Sequence, residues 1–515
     1  MMQKTTNKAV TVGSHNLSVE EIVKVAREYM LVSLDEASRK KIKEARQTVE
    51  EIILEEKTVY GINTGFGNLC DVVISKDKRR ELQSNLIAGH AAGVGTALDQ
   101  ETVRAIMLLR INTLAVGHSG VREEVIDQLI EMLNRKVHPV IPSQGSLGAS
   151  GDLAPLSHMA LALTGKGEAF WEGKRLNSNE ALKAAGLEPI ELKEKEGLAL
   201  INGTQVMTAL GALAFYDAVN LVKTADITGS LTMEALKARK EAFDLLTYRV
   251  RPHPGHGATL RNLHKLCSES LNIGNGTGKL QDAYSIRCLP QVHGATKDTL
   301  HFVKSILETE INSVTDNPLI FPEENRVISA GNFHGQPLAL AMDYFSIALS
   351  ELGSITERRL ERLLNNTLSG LPPFLTNEKG LNSGYMIAHY TAASLASENK
   401  VLSHPACTDS LPVSANQEDH VSMGTHGARK AVNVINNVSY IIAIEYLAAV
   451  QALDLSDNQG LGLGTRKAYG LLREHVPFLE KDRVLNLEIE KTASLIREGK
   501  TVQEVEHEIL LEPVI

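Results

Sequence analysis

The tripeptide Ala149-Ser150-Gly151 combines three residue types that can form an electrophile from the polypeptide itself. Ala149 is small and Gly151 has no side chain, so the Gly151 nitrogen can approach the Ala149 carbonyl carbon. Ring closure with loss of two waters, one of them from the Ser150 hydroxyl, would leave a methylidene-imidazolone whose exocyclic methylene attracts amines. No coded side chain is a comparable electrophile, and such chemistry otherwise needs a cofactor such as pyridoxal phosphate. The triplet is also common in ordinary turns, so by itself it does not decide between these interpretations.

The longer string at residues 145–158, GSLGASGDLAPLSH, resembles the signature of the aromatic amino acid ammonia-lyase and aminomutase family. The resemblance runs from about Tyr60 to about Leu455. It implies that Ala149-Ser150-Gly151 cyclises autocatalytically to 4-methylidene-imidazol-5-one and that no external cofactor is needed. It also implies that the chain is a carbon–nitrogen lyase that eliminates ammonia from an α-amino acid.

Two further residues match catalytic positions of the family. Tyr60, in the segment YGINTGFG, matches the tyrosine that removes the β-proton. A phenol can act as this base only if nearby positive charge or hydrogen-bond donors lower its pKa from about 10. Asn202, in LALINGTQ, matches the asparagine whose amide donates to the imidazolone oxygen. Alone, such a Tyr is more often a packing residue and Asn before Gly a turn residue; the resemblance favours the functional roles.

The segment QDAYSIR at residues 281–287 resembles part of the family's substrate site. The resemblance implies that Gln281 contacts the substrate, that Tyr284 orients it or shuttles a proton, and that Arg287 holds its carboxylate as a bidentate fork. Phe333, in NFHGQP, is implied to pack against the substrate and the imidazolone. A lone Arg usually pairs with a structural acid, and an aromatic before a helix is usually core, so these roles depend on the resemblance.

Two positions discriminate among the family's substrates. Phenylalanine-selective members resemble Phe-Leu, tyrosine-selective ones His-Leu and histidine-selective ones Ser-His, where this chain has Gly89-His90. Lyases for carbocyclic substrates place Gln where Glu418 stands. A carboxylate gains a charge-assisted hydrogen bond from an imidazole N–H, whereas against a phenyl ring it only loses solvation. We therefore expect L-histidine as the substrate, and trans-urocanate and ammonia as products of a first step in histidine degradation.

Other interpretations stay open. A tyrosine or phenylalanine ammonia-lyase or aminomutase of the same family shares the electrophile. A catalytically inactive helical scaffold is a second alternative, against which the intact tripeptide argues. Gly89, Ala283, Leu289 and His293 depart from the pattern of histidine-selective members, and His293 has no explanation from the sequence. The fumarase and aspartase group also eliminates on a helical fold, but the sequence does not match its signature loop.

Composition excludes several classes of function. The 515 residues carry a formal net charge of −9, so we expect no nucleic-acid partner. The four cysteines are far apart and form no CxxC pair, which indicates reduced thiols and no metal site. Neither a P-loop nor an HExxH motif occurs. The first residues lack an apolar signal core, and the uncharged run at 197–216 is interrupted by polar residues. We expect a cytoplasmic protein without membrane contact.

Long helical patterns dominate the chain. They cover residues 36–56, 77–88, 99–117, 205–235, 297–314, 338–366 and 427–453, with possible hairpins only near 169–175 and 319–329. Several exceed the usual length of about 11–12 residues and are apolar on more than one face. We predict a mainly α protein: a smaller, mostly helical region 1–115 carrying Tyr60 and His90, and a long-helix bundle 116–515 carrying the imidazolone loop, with a fumarase/aspartase-like helical architecture. The resemblance implies a homotetramer whose active sites draw on three chains.

Overall fold

A computed structural model describes residues 9–274 and 280–514. This part of the chain contains twenty α-helices and nine short strands, so the predicted mainly α fold is confirmed. The helices are α1 Val19–Arg27, α2 Glu36–Leu54, α3 Arg79–His90, α4 Gln100–Ala115, α5 Glu123–Asn134, α6 Leu153–Leu163, α7 Ser178–Ala184, α8 Glu196–Ile201, α9 Gln205–Ala235, α10 Leu245–Val250, α11 Pro254–Leu266, α12 Tyr284–Arg287, α13 Leu289–Ile311, α14 Gln336–Leu364, α15 Asn366–Ser369, α16 Met386–Leu402, α17 Gly424–Leu455, α18 Leu463–His475, α19 Leu485–Arg497 and α20 Lys500–Glu506.

Within the described residues, the strands form four small sheets of two or three strands each. They are β1 Val10–Val12, β2 Val32–Leu34, β3 Val94–Ala97, β4 His138–Pro139, β5 Pro142–Gln144, β6 Glu168–Trp171, β7 Lys174–Asn177, β8 Leu319–Phe321 and β9 Arg326–Ile328. The pair β1–β2 is parallel, whereas β3–β5, β4–β6, β6–β7 and β8–β9 are antiparallel. The hairpins β6–β7 and β8–β9 lie at the two predicted places.

Helix boundaries follow local chemistry. The Ser18 hydroxyl accepts from the Glu21 N–H, and the Glu21 carboxylate accepts from the Ser18 N–H. This capping box begins α1. Helix α9 covers the predicted residues 205–235. Helix α13 begins at Leu289, earlier than the predicted residue 297, because Pro290 lies in its first turn, where a missing N–H breaks no helical bond.

The chain divides into two compact units. Unit 1 comprises Met1–Leu213, Ser305–Met342 and Pro405–Arg429, and unit 2 comprises Ala214–Lys304, Asp343–His404 and Lys430–Ile515. The predicted boundary near residue 115 lies inside unit 1, at the end of α4. The chain passes from one unit to the other within the long helices α9, α13, α14 and α17 and once more between His404 and Pro405, so this division is not one of consecutive segments. The proposed domains 1–115 and 116–515 stay a prediction.

A buried network of charges in unit 2 explains His293. Its Nδ1 lies 2.8 Å from Asp226 and its Nε2 lies 3.2 Å from an Arg359 nitrogen, which can only donate. Nδ1 must then carry the proton, and the ring is neutral. Lys297 bonds the other Asp226 oxygen at 2.6 Å, and Glu445 accepts from Arg359 at 2.5 Å. The negative charges of Asp226 and Glu445 balance the positive charges of Lys297 and Arg359. His293 links the two ion pairs, since it bonds both Asp226 and Arg359. This fixes the first turns of α13.

In the part of the chain that the structure describes, three helices are long and apolar enough, by length and composition alone, to cross a membrane: α9, α14 and α17. The most apolar stretch of each is 78%, 67% and 83% buried within the protein. Among residues 9–274 and 280–514, no group of three or more His, Cys, Asp or Glu side chains is arranged to hold a metal ion.

Burial makes His138 a source of acid sensitivity. Desolvation, with the nearby charge of Arg104, lowers the pKa of His138 to about 4. An unfolded histidine titrates near 6.5, so below that pH the unfolded chain binds a proton that the folded chain refuses. The free energy of unfolding should therefore fall by about 3 kcal/mol from this group as the pH drops from 6.5 to 4. The denaturation midpoint of His138→Gln should therefore fall less between pH 6.5 and pH 4 than the midpoint of the wild type. The exposed His507→Gln is the control; an identical loss in wild type and His138→Gln would refute this origin.

Candidate active site

Unit 1 encloses a cavity of about 410 Å³ that joins four of the predicted site residues. Tyr60, His90, Ser150 and Glu418 all line it, although they come from four distant segments of the chain. The other lining residues are mostly apolar: Gly65, Phe66, Gly67, Leu69, Val72, Ile74, Leu82, Asn85, Leu86, Gly89, Leu153, Leu198 and Ser414. A cavity with an apolar wall and a few convergent polar groups is typical of a small-molecule site.

Asp152 holds the tripeptide loop against the start of α9. Its side chain is fully buried, and one carboxylate oxygen accepts from the N–H groups of Val206 and Met207, both at 2.9 Å. These belong to the first turn of α9, where helix N–H groups have no intrahelical partner. The other oxygen accepts from the hydroxyls of Ser146, at 2.8 Å, and Thr425. Burial nevertheless raises the pKa of Asp152.

Asn202 contacts the tripeptide directly. It follows α8, is 2% exposed, and donates from Nδ2 to the carbonyl oxygen of Ser150 at 2.8 Å and to its hydroxyl at 2.7 Å. The adjacent Gly203 carbonyl accepts from the Asp152 N–H at 2.7 Å. In the expected cyclisation the Ser150 carbonyl oxygen stays on the ring and its hydroxyl leaves as water. The Asn202 amide therefore lies at the retained and the departing oxygen, and the residues present fit the imidazolone.

Gly151 occupies a place that admits no side chain. Its φ is +68°, in the left-handed region that glycine adopts readily. An added Cβ would lie against the backbone of Gly203, well inside van der Waals contact. The turn and the residues after Asn202 therefore pack backbone to backbone.

The Tyr60 hydroxyl lies in the cavity wall with one weak backbone partner, the Gly67 N–H at 3.4 Å. Burial raises the pKa of Tyr60, the Gly67 bond lowers it, and electrostatic interactions with Cys70 and Glu418 raise it further. The net direction is upward. This is the reverse of the lowered pKa that the sequence argument requires of the base, because desolvation and a carboxylate dominate around this phenol.

His90 and Glu418 form the polar end of the cavity. His90 ends α3, and its Nδ1 lies 2.7 Å from the Leu86 carbonyl, which can only accept. The Nδ1–H is therefore committed, and a neutral His90 offers Nε2 as an acceptor. Glu418 is held by two backbone bonds with Val413, at 3.0 and 3.3 Å. Burial raises the pKa of Glu418, while His90 opposes that rise.

Besides Asn202 and the other two residues of the tripeptide, which adjoin Ser150, four predicted residues do not line this cavity. Phe333 is half-buried just ahead of α14. Gln281, Tyr284 and Arg287 belong to unit 2, where Gln281 is exposed and Tyr284 is 71% exposed. The Arg287 guanidinium carbon lies 4.6 Å from the centre of the Tyr284 ring, a cation–π contact. The roles of these four residues stay predictions.

Comparison with known proteins identifies the family of this chain. A family model described as aromatic amino acid lyase matches residues 17–474. The chain is also 52% identical to a histidine ammonia-lyase of Alkaliphilus oremlandii, over 98% of this chain and 100% of that protein. The chain belongs to the aromatic amino acid lyase family. This confirms the resemblance drawn from the tripeptide segment.

Solved structures of the family share the whole fold of this lyase. Histidine ammonia-lyase from Trypanosoma cruzi is 42% identical with a TM-score of 0.92, over 98% of this chain and 97% of that one. Tyrosine aminomutase from Streptomyces globisporus is 39% identical with a TM-score of 0.94, over 98% and 100%. Two chemistries thus occur on the same backbone, and the fold alone does not choose the substrate.

Sequence reasoning did not assign roles to two buried residues of this aromatic amino acid lyase. Asp152 stands within the quoted signature, directly after Gly151, so its position was a usable signal. Arg110, in the middle of α4, is fully buried and bonds the Asn202 carbonyl at 3.1 Å. No motif marks Arg110, since its partners are backbone carbonyls and the Gln205 side chain, which all lie far away in the sequence.

The tight packing of Gly151 predicts a measurable cost of any side chain there. Gly173 offers a matched control, since its φ is +75° but an added Cβ would meet nothing within 4 Å. Both alanine variants carry backbone strain of about 1 kcal/mol, and only Gly151→Ala adds a collision with Gly203. In a Ser150→Ala background, which removes any effect of cyclisation, Gly151→Ala should lower the thermal midpoint clearly more than Gly173→Ala. An equal fall of the thermal midpoint in both variants would show that the Gly203 backbone moves aside at no cost, and would contradict the prediction.

Proposed function

We propose that this lyase is a histidine ammonia-lyase that converts L-histidine to trans-urocanate and ammonia without oxidation. The observation that carries the proposal is the single cavity that joins Ser150 of the tripeptide to Tyr60, His90 and Glu418. The first is the source of an electrophile, the second a proton acceptor, and the last two a polar end suited to an imidazole. The names of the related proteins support the same reaction.

The prosthetic group we propose is 4-methylidene-imidazol-5-one, formed by Ala149-Ser150-Gly151 without an external cofactor. It supplies an electrophile that captures the substrate amine, a poor leaving group. Asn202 would hold it, since its amide already donates to the Ser150 carbonyl oxygen at 2.8 Å. A donor fixed at that oxygen stabilises the negative charge that builds there, and it needs no reorganisation during reaction.

Tyr60 is the proposed base for the β-proton. Burial and Glu418 raise its pKa, so the phenol keeps its proton in the cavity without substrate. A cationic substrate opposes the electrostatic effect of Glu418 on the pKa of Tyr60, because a positive charge nearby favours the phenolate. The substrate ammonium or imidazolium thus helps to create the base that attacks it.

The polar end of the cavity supports an imidazole ring as the group recognised. With its Nδ1–H committed to Leu86, His90 accepts a ring N–H at Nε2, and the Glu418 carboxylate accepts a charge-assisted one. A phenyl ring offers neither donor and would leave these half-buried acceptors unpaired. Gln281, Tyr284, Arg287 and Phe333 complete the proposal through the roles implied by the family, with Arg287 on the substrate carboxylate.

We further propose a cytoplasmic homotetramer that shares its active sites between chains. The alternative is a tyrosine or phenylalanine lyase or aminomutase, favoured by the likeness to tyrosine aminomutase at a TM-score of 0.94. Urocanate, coumarate, cinnamate and β-amino acids, measured side by side after incubation with each substrate, separate these activities. A chain that forms none of them would be a scaffold.

The mass of the intact protein tests the prosthetic group. The purified wild type should weigh two waters less than its translated sequence. Ser150→Ala, which removes the departing hydroxyl, should show no such deficit and should lose most activity while remaining folded. Ser143→Ala, a nearby serine outside the tripeptide, should keep the deficit. A wild type of full translated mass that is nevertheless active would refute the electrophile.

Glu418→Gln tests the substrate. Losing one charge-assisted hydrogen bond should lower kcat/KM for histidine about tenfold or more, with no matching loss for tyrosine. Asp419→Asn makes the same change of charge at the next, exposed residue and should leave both values unchanged. Parallel losses for histidine and tyrosine in Glu418→Gln would contradict recognition of imidazole by this carboxylate.

A further inference from the structure

Arg110 is a buried cation whose bonds converge on the segment behind the tripeptide. It lies on α4 with no exposed surface. One terminal nitrogen donates to the carbonyls of Asn202 and Thr315 at 3.1 and 3.2 Å and to the Gln205 side-chain oxygen at 2.8 Å. The other donates to the Ala199 carbonyl. A single guanidinium thus ties together the last turn of α8, the residue after it and the start of α9.

These bonds are unusual because no carboxylate is among them. Within the part of the chain that the structure describes, the charge of Asp316 acts on Arg110, but both Asp316 oxygens bond Lys195, at 3.0 and 3.1 Å. A buried arginine without a direct counter-ion is costly. Carbonyl acceptors compensate this cost only if they are held in position, so the guanidinium and the segment 199–205 constrain each other.

The segment that Arg110 holds is the one that presses on the tripeptide. Asn202 donates to the carbonyl and hydroxyl oxygens of Ser150, and the Gly203 carbonyl accepts from the Asp152 N–H. Gly203 itself is confined from behind, since an added Cβ would collide with the Arg110 guanidinium and the Gln205 amide. Arg110 therefore touches nothing that reacts, but it supports both groups that shape the turn.

We propose that Arg110 is a positioning residue for cyclisation of the tripeptide, acting through Asn202 and Gly203. The inference rests on the proposed function, because it presumes that the ring forms. In that step the Gly151 nitrogen bonds the Ala149 carbonyl carbon. The Ala149 oxygen leaves as water with the hydrogens of the Gly151 and Ser150 nitrogens. The Ser150 hydroxyl leaves as a second water with the Ser150 α-hydrogen, so no oxidant or reductant is required.

A matched control lies on the same helix. Arg104 is 1% exposed and also bonds carbonyls, those of Val25 at 2.9 Å and Leu133 at 2.8 Å, and the His138 ring at 3.2 Å. Burial lowers the pKa of both guanidinium groups to about 10. Arg104 has no bond to the segment 199–205, so Arg104→Met reports the loss of a buried arginine without loss of the support.

The experiment measures how fast the soluble full-length protein loses two waters after a pulse of expression, by following its intact mass over time. Arg110→Met should approach the deficit about tenfold more slowly than the wild type, the effect of one lost hydrogen bond to a charged group. Arg110→Lys keeps the charge and should recover part of the rate. Arg104→Met should cyclise at the wild-type rate despite a lowered thermal midpoint. Should Arg110→Met be insoluble, the comparison of Arg110→Lys with Arg104→Lys replaces it.

The outcomes separate the two proposals. A wild type without any deficit refutes the proposed function. A wild-type deficit with equally fast cyclisation in the Arg110 variants refutes the role of Arg110 alone. Equal slowing in the Arg104 and Arg110 variants also refutes it, because loss of stability would then explain both.

Discussion

The joint between the tripeptide turn and the start of α9 is the contact on which the rest of the site depends. Asp152 provides this contact through both its backbone and its side chain. Its backbone N–H donates to the Gly203 carbonyl at 2.7 Å, and its carboxylate accepts from Val206 and Met207 at 2.9 Å. A helix start has free N–H groups that favour a negative partner. Because that partner comes from the tripeptide loop, the turn and the long helix are held in one arrangement.

The same joint contributes to the partial burial of the site. A turn pressed backbone to backbone against Gly203 excludes water from one side of Ser150, while the cavity opens on the other. Desolvation then sets the direction of the pKa of three acids, since it raises those of Tyr60, Asp152 and Glu418. Such perturbed groups are typical of functional sites. They also make the site respond to any charge that enters it.

Much of the fold was accessible from periodicity and caps. The range of α9 and both hairpins agreed with the predictions, because long apolar repeats and turn residues act locally. The start of α13 was placed too late, since Pro290 in a first turn does not mark a break. The division into units was not accessible, because four helices contribute to both and no linker marks a boundary.

The chemistry that the chain can offer was readable from its residues: Ala149-Ser150-Gly151 as a source of an electrophile, and Tyr60, His90 and Glu418 as candidates around it. Residue identity carries this information because functional groups are properties of single residues. Three findings required the folded chain: these four segments share one cavity, His293 is neutral, and the pKa of Tyr60 moves upward. Each depends on burial and on partners far away in the sequence, such as Arg110 behind Asn202. No local pattern of residues encodes those distances.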